Sequence, residues 1–192
     1  IAINRQRQFL VVYEDNSIMS FGEIPEDFSN LSPNMLYIQT GETFSCLGFW
    51  EPTNKQAELI VAPSHMGQVV NSIYTGAFSG NNNLVSVVLS DEITTIGEEA
   101  FAYCPKLKLV DLGKGLKEIG ELAFYRSEIM YITIPESCVK IGANAFTSCK
   151  NLKKIYYEGT VEQWGKITLG HWWNYRIAAT EVICSNGTVQ LK

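Results

Sequence analysis

Residues 89–112 read LSDEITTIGEEAFAYCPKLKLVDL, and residues 134–157 read IPESCVKIGANAFTSCKNLKKIYY. In both stretches an Ala-Phe pair begins four residues after an isoleucine. A block of regularly spaced apolar residues follows the pair. The pair occurs four times, with spacings of 23, 23 and 22 residues, at Ala77-Phe78, Ala100-Phe101, Ala123-Phe124 and Ala145-Phe146. Similarity at a fixed period of this length is the signature of a repeat architecture.

Other apolar positions recur with the same period. The isoleucines are Ile73, Ile96, Ile119 and Ile141. The apolar blocks are Leu84, Val87 and Leu89; Leu107, Val110 and Leu112; Ile129, Ile132 and Ile134; and Leu152, Ile155 and Tyr157. The 22-residue spacing arises because the segment from Phe124 to Ile129 is one residue shorter than its equivalents in the other repeats. The regular spacing resumes after Ile129.

These spacings predict the shape of one unit. Alternation such as Val87/Leu89 predicts a short strand with one buried edge. The Ile-x-x-x-Ala-Phe spacing predicts a single helical turn with Ile and Ala on one side. One unit has too few apolar residues to close a core, whereas stacked units would bury a continuous core, with parallel strands about 4.8 Å apart. The sequence therefore predicts an α/β repeat solenoid.

The two quoted stretches resemble the leucine-rich repeats of the BspA-like (Treponema-type) family, whose pattern runs roughly Ile-Pro-x-x-Val-x-x-Ile-Gly-x-x-Ala-Phe-x-x-Cys-x-x-Leu. The resemblance extends from about Val61 to Trp164. It implies a right-handed array of about four to five coils, with a parallel β-sheet face and flanking β-hairpin caps. The chain departs from the pattern at Asn81 and Ser127, where Cys is usual, and at Cys138, where Val is usual.

Four segments are expected along the chain. Residues 1–34 read as an N-terminal β-hairpin segment around Asp15-Asn16, with a separate small domain as an open possibility. Residues 35–60 read as an N-terminal β cap with a turn at Thr40-Gly41, and residues 61–164 as the repeats. Residues 165–192 read as a C-terminal cap, in which Asn186-Gly187 predicts a hairpin. Trp164 is expected to continue the position of Ile96.

Composition narrows the functional classes. The chain has 192 residues, 46% of them hydrophobic and 18% charged, which is typical of a folded protein. The net charge is −5 and the longest Lys/Arg run is Lys153-Lys154, so no nucleic-acid partner is expected. No apolar run approaches the ~20 residues of a membrane span. The chain opens at Ile1 without an initiator Met, which suggests a trimmed chain, so the lack of a signal peptide does not indicate location.

No catalytic, cofactor or metal site is expected. There are five cysteines without a Cys-x-x-Cys pair, and two histidines, which are too few for a usual zinc site. Cys104 and Cys149 share a repeat position two coils apart, too far for a disulfide, so the cysteines are expected to be buried thiols. Ser137 and Lys140 fit a Ser-x-x-Lys pattern without its companion motifs. Enzymatic activity is not expected.

The residues between the buried strand positions should line the exposed sheet face. The candidate partner-binding residues are Val85, Val88, Leu109, Asp111, Met130, Tyr131, Thr133, Lys154 and Tyr156. Apolar surface that includes Tyr and Met is typical of interaction sites. A flanking segment that covers the sheet would explain the same residues.

The resulting hypothesis is a non-catalytic protein-binding module. The resemblance implies a secreted or cell-surface bacterial protein for adhesion, with a host extracellular or matrix protein as a possible partner. One alternative is a carbohydrate-binding module that uses the C-terminal aromatic residues Trp164, Trp172, Trp173 and Tyr175, which would otherwise plug the end of the core. Another alternative is a structural spacer.

Overall fold

A computed structural model describes residues 9–12, 18–21, 35–49 and 57–191. It confirms the predicted leucine-rich-repeat solenoid, in which each turn contributes one strand to each of two parallel sheets. The first sheet, in chain order, contains β3 (Met35–Thr40), β4 (Thr43–Phe49), β6 (Ser64–His65), β7 (Gln68–Ile73), β9 (Thr95–Ile96), β11 (Glu118–Ile119), β13 (Lys140–Ile141) and β15 (Thr168–Leu169).

The second sheet holds the apolar blocks of the repeats. Its strands are β5 (Glu58–Ile60), β8 (Ser86–Val88), β10 (Leu109–Asp111), β12 (Tyr131–Ile134), β14 (Lys154–Tyr157), β16 (Glu181–Cys184) and β17 (Gly187–Gln190). The strands from β4 to β16 make six turns of the solenoid within the described residues, rather than the predicted four to five. The two additional turns lie at the ends, where the Ala-Phe pair is missing.

The segment predicted to be a helical turn differs in detail. Ile96 ends a two-residue strand, and the Ala-Phe pair lies in tight turns closed by Ala100 N–H to Gly97 O and Ala102 N–H to Glu99 O. Glu99 and Tyr103 have φ values of 53° and 56°, in the left-handed region. The backbone N–H groups between these turns donate to the next coil instead of along a helix. Among the described residues the only helix is α1 (Val161–Trp164).

The core is a set of columns along the solenoid axis. The phenylalanines Phe78, Phe101, Phe124 and Phe146 stack with nearly parallel rings, whose centroids are 5.2, 5.4 and 5.4 Å apart. The small Ala beside each Phe allows the turns to approach closely. The turns also approach closely at the Gly after Ile, where a Cβ on Gly120 would lie 2.6 Å from the carbonyl carbon of Gly97. Burial of these columns drives the stacking of the turns.

The missing residue between Phe124 and Ile129 interrupts the second sheet. Its strands divide into β5–β8–β10 and β12–β14–β16–β17. Met130 N–H still donates to Lys108 O across 3.3 Å, but β10 and β12 form no continuous ladder. Although the connection from Phe124 is one residue shorter, Ile129 still fills the buried position that Leu107 and Leu152 fill in their own repeats. The core is therefore continuous where the strand ladder is broken.

Hairpins occur near both ends. β3 and β4 pair antiparallel around Gly41, and β16 and β17 pair antiparallel around Asn186. β1 (Phe9–Val12) and β2 (Ile18–Phe21) also pair antiparallel, and the predicted turn at Asp15-Asn16 lies outside the described residues. The division of the chain into four segments stays a prediction.

The expected role of Trp164 was wrong. Leu169, not Trp164, pairs with Ile141 in the first sheet and holds the position of Ile96. Trp164 lies in α1, which begins with a capping box in which the Thr160 hydroxyl accepts from Gln163 N–H and the Gln163 side chain accepts from Thr160 N–H. This inserted helical turn lengthens the last repeat and displaces the register.

Candidate functional site

The exposed side chains of the second sheet form the predicted candidate surface. Leu109, Met130 and Tyr131 are 40%, 42% and 46% exposed, whereas Ile129 and Ile132, on either side of the latter two, are fully buried. Val88, Asp111, Thr133 and Lys154 are also exposed, whereas Val85 and Tyr156 are half-buried. The alternation arises because successive side chains of a strand point to opposite faces. No binding data test this set, which stays a prediction.

The strand register aligns these side chains in rows. Val88 pairs with Asp111 on one side of the break between β10 and β12, and Thr133 pairs with Tyr156 on the other side, so the predicted row consists of two separate segments. The row continues to Ile60 at one end and to Ile183 at the other, both half-buried. These two residues were missed from the sequence because the repeat pattern stops short of β5 and β16.

The second predicted row is divided. Leu109 pairs with Ser86, and Tyr131 pairs with Lys154, but Leu109 and Tyr131 are not joined by a ladder. The interruption between β10 and β12 lies between them. The most exposed apolar side chains of the sheet are therefore next to its one irregular junction.

The thiol groups are buried away from solvent. Cys46, Cys104, Cys138, Cys149 and Cys184 are all free and buried, as predicted. Burial raises the pKa of the Cys104 thiol to about 12 and that of Cys138 to about 11. Since the thiolate is the reactive form, these groups are poor nucleophiles at neutral pH.

Charged and metal-binding chemistry is sparse in the part of the chain that the structure describes. No group of three or more His, Cys, Asp or Glu side chains there could hold a metal ion. The closest ion pair is Lys140 with Glu118 at 3.3 Å, an exposed contact between adjacent turns of the first sheet. No helix in the described ranges is long and apolar enough to cross a bilayer.

The C-terminal aromatic residues separate into two groups. Trp164 and Trp173 are buried, with ring centroids 5.8 Å apart, and Trp173 lies 6.2 Å from Phe146 at the end of the phenylalanine column. Trp172 and Tyr175 are 59% and 48% exposed, with centroids 6.0 Å apart. The buried pair closes the core, so only the exposed pair is available to a ligand.

A further group of aromatic residues lies on the turns after the Ala-Phe pairs. The rings of Tyr103 and Tyr125 meet edge to face at 5.2 Å, and the guanidinium of Arg126 lies over both rings. Sequence reasoning missed this group. The available signal was the Tyr-Arg dipeptide, which occurs at Tyr125-Arg126 and again at Tyr175-Arg176.

Comparison with solved structures supports the fold assignment. The chain is 25% identical to the leucine-rich repeat protein TpLRR of T. pallidum, with a TM-score of 0.69, covering 84% of this chain and 71% of that one. A leucine-rich cell surface protein of Faecalibacterium prausnitzii is 23% identical, with a TM-score of 0.59 and coverages of 71% and 41%. The pneumococcal vaccine antigen PcpA is 17% identical, with a TM-score of 0.58 and coverages of 81% and 45%. The chain thus spans less than half the length of the latter two structures.

Comparison of sequences identifies the repeat type. No curated protein matches the chain. Residues 71–174 match the family described as BspA type leucine rich repeat region, in six copies. Repeats of this kind generally serve as protein-interaction modules and are typically non-catalytic. The match covers more than half of the chain, which therefore belongs to the BspA-type leucine-rich-repeat family.

Proposed function

We propose that this chain is a non-catalytic module that binds a protein partner through the exposed face of the second sheet. The observation that carries the proposal is the exposure of three large apolar side chains on two successive turns: Leu109 in β10, Tyr131 at the start of β12, and Met130 directly before it. Exposed apolar groups of this kind are typical of interaction sites.

The surroundings of this group suit a protein interface. Asp111, Thr133 and Lys154 are exposed on β10, β12 and the neighbouring β14, and they provide a polar rim with charges of both signs. Tyrosine is common in binding hot spots because it combines a large apolar ring with a hydroxyl group.

The proposal includes a secreted or cell-surface location and a role in adhesion, with host extracellular or matrix proteins as partners. The F. prausnitzii structure is described as a cell surface protein, which agrees with this location. Protease treatment of intact producing cells tests it, since a surface protein is cleaved without lysis whereas a protein inside the cell is protected.

Binding is tested with purified matrix and serum proteins on a biosensor. The test variant is Leu109→Asp/Tyr131→Asp, which places two charges on the candidate face. The matched control is Val139→Asp/Leu169→Asp, which changes two exposed apolar residues, 56% and 39% exposed, that belong to the opposite part of the coil. All chains are compared for thermal unfolding before binding is measured.

The expected result is at least about a tenfold loss of affinity in the test variant, equivalent to about 1.4 kcal/mol. The control should bind like the native chain. Equal loss in both variants, or no loss in either, would contradict a site on the second sheet. No partner for the native chain in the whole panel would favour the role of a structural spacer.

A further inference from the structure

Both arginines in the described part of the chain occupy the same place in the repeat. Arg126 and Arg176 have φ values of 57° and 59° and share the second left-handed position of the turn with Tyr103 and Ser148. The Arg176 guanidinium lies 5.2 Å from the ring centroid of Tyr175, and Arg126 lies at the same distance from Tyr125. At both turns the guanidinium therefore lies over the ring of the tyrosine that precedes it in the chain.

Neither guanidinium has an anionic partner within the described ranges. The closest ion pair found there joins Lys140 and Glu118, and neither arginine takes part in it. A cation over an aromatic face is attracted to the ring, while the N–H groups at its edge still require acceptors. Both side chains are exposed, so those donors face solvent.

The backbone aligns the two groups in one line along the solenoid. Arg126 N–H donates to Thr147 O, and Ser148 N–H donates to Tyr175 O. The turns that carry Arg126, Ser148 and Arg176 are therefore stacked consecutively, like rungs of a ladder. Two rungs correspond to about 10 Å between equivalent backbone positions. Ser148 lies at the middle rung, where its short side chain leaves space between the two arginine groups.

Exposed aromatic rings flank the arginines at both ends of this line. Tyr103 is 47% exposed at one end. Trp172 lies at the other end, with its ring 4.2 Å from that of His171 and 6.0 Å from that of Tyr175. Flat aromatic faces can stack on the C–H faces of sugar rings, and arginine pairs with carboxylate or sulfate groups through two N–H donors.

From this geometry we propose that the line from Tyr103 to Trp172 binds an acidic glycan. Arg126 and Arg176 pair with carboxylate or sulfate groups on separate sugar units, and the aromatic rings stack on the sugars. This site lies on the turns and does not depend on the protein-binding face of the second sheet.

The charge pattern favours an acidic glycan over a nucleic acid. Two arginines across three turns match a polymer whose anionic groups are widely spaced, whereas nucleic-acid binding relies on dense Lys and Arg contacts to successive phosphates. The chain as a whole has a net charge of −5, which disfavours a densely charged polyanion.

The test measures binding of the full chain to size-defined oligomers of polygalacturonate and hyaluronan by calorimetry. Methyl-esterified oligogalacturonate serves as the matched ligand, because it has the same sugar rings without the charge. The test variant is Arg126→Gln/Arg176→Gln. The control variant is Lys114→Gln/Lys166→Gln, which removes the same charge from exposed residues elsewhere. Thermal unfolding of each variant shows whether the fold is kept.

We expect at least one acidic oligomer to bind, with an affinity about tenfold or more lower for the arginine variant and within about twofold of native for the lysine variant. Methyl esterification should weaken oligogalacturonate binding similarly if that oligomer is the ligand. The proposal is overturned if no acidic oligomer binds or if the arginine variant binds as well as the native chain. Equal affinity for polyglutamate or single-stranded DNA would also overturn it, because it would indicate binding by charge alone.

Discussion

The thiol of Cys149 donates a hydrogen bond to the carbonyl oxygen of Phe124, one turn earlier in the solenoid, across 2.9 Å. Ser127 makes the equivalent bond to Phe101 O at 2.7 Å, and Cys104 makes it to Phe78 O at 3.3 Å. A side-chain donor at this position therefore joins each of these three turns to the one before it. Ser and Cys are interchangeable there as donors, which explains the departure of Ser127 from the usual pattern.

Replacement of Cys149 should separate the contribution of this bond from that of packing. Cys149→Ser keeps a donor and Cys149→Ala removes it, so Cys149→Ala should be less stable than Cys149→Ser by about 1 kcal/mol. The measurement is the urea midpoint of each variant. The reciprocal change Ser127→Cys should be nearly neutral. An alanine variant as stable as the serine variant would show that the bond contributes nothing.

Glycine is required at position 120 for steric reasons. A Cβ there would lie 2.6 Å from Gly97 C and 2.7 Å from Glu98 N, and both of these atoms belong to the backbone. Gly120→Ala should therefore destabilise the fold by about 3 kcal/mol, because the turns must move apart. The melting temperature measures the effect.

Gly165 provides the control for that change. It has φ of −61°, and a Cβ added to it would lie 3.6 Å from its nearest neighbour, the carbonyl oxygen of Glu162. Gly165→Ala should leave stability unchanged or raise it by about 0.5 kcal/mol, since alanine restricts the unfolded chain. Similar losses in both variants would argue against the close approach of turns as the cause.

Trp173 and Trp172 are adjacent in sequence but should differ in their effect on stability. Trp173 is buried against Phe146 and Trp164, so Trp173→Ala should cost about 3–5 kcal/mol. Trp172 is exposed, and Trp172→Ala should cost less than about 1 kcal/mol. Denaturant unfolding compares the two variants. A large loss of unfolding free energy in Trp172→Ala would instead show that the Trp172 ring also packs against the end of the core.

His65 should make stability depend on pH. Its ring stacks on Tyr37 at 4.4 Å and meets Phe44 edge-on at 5.0 Å. Burial lowers the pKa of His65 below its usual 6.5, so the unfolded chain binds the proton more readily than the folded one. Stability from this residue is complete above pH 6.5 and is lost as the pH falls towards the folded pKa.

The corresponding measurement is thermal unfolding at pH 7.5 and pH 5. His65→Phe keeps an aromatic ring but cannot titrate, so its loss of stability over this range should be smaller than that of the native chain. If both lose the same amount, the pH dependence arises from other groups.

The core could be predicted from the sequence because its residues repeat at fixed positions. Phe101, Phe124 and Ile132 are fully buried where the periodicity required burial. The repeat strands of the first sheet were not predicted, since two-residue strands such as Thr95–Ile96 are too short to show alternation. The end turns were missed because other residue types take the repeat positions there, such as Leu169 after an inserted helix. The group around Tyr125-Arg126 was not predicted because its sequence signal is a single dipeptide that recurs once, at Tyr175-Arg176, and its contact with Tyr103 joins different turns.

The stack of phenylalanine rings also has a consequence for how the length of such a protein can change. Each ring rests on the ring of the preceding turn and presents an almost identical face to the next turn. Each turn thus offers the next turn the same packing surface, and only the first and last turns need different residues to cover the core. Whole repeats can accordingly be duplicated or lost in the middle of the gene without redesign of the core, and the length of the exposed surface then changes in steps of one turn.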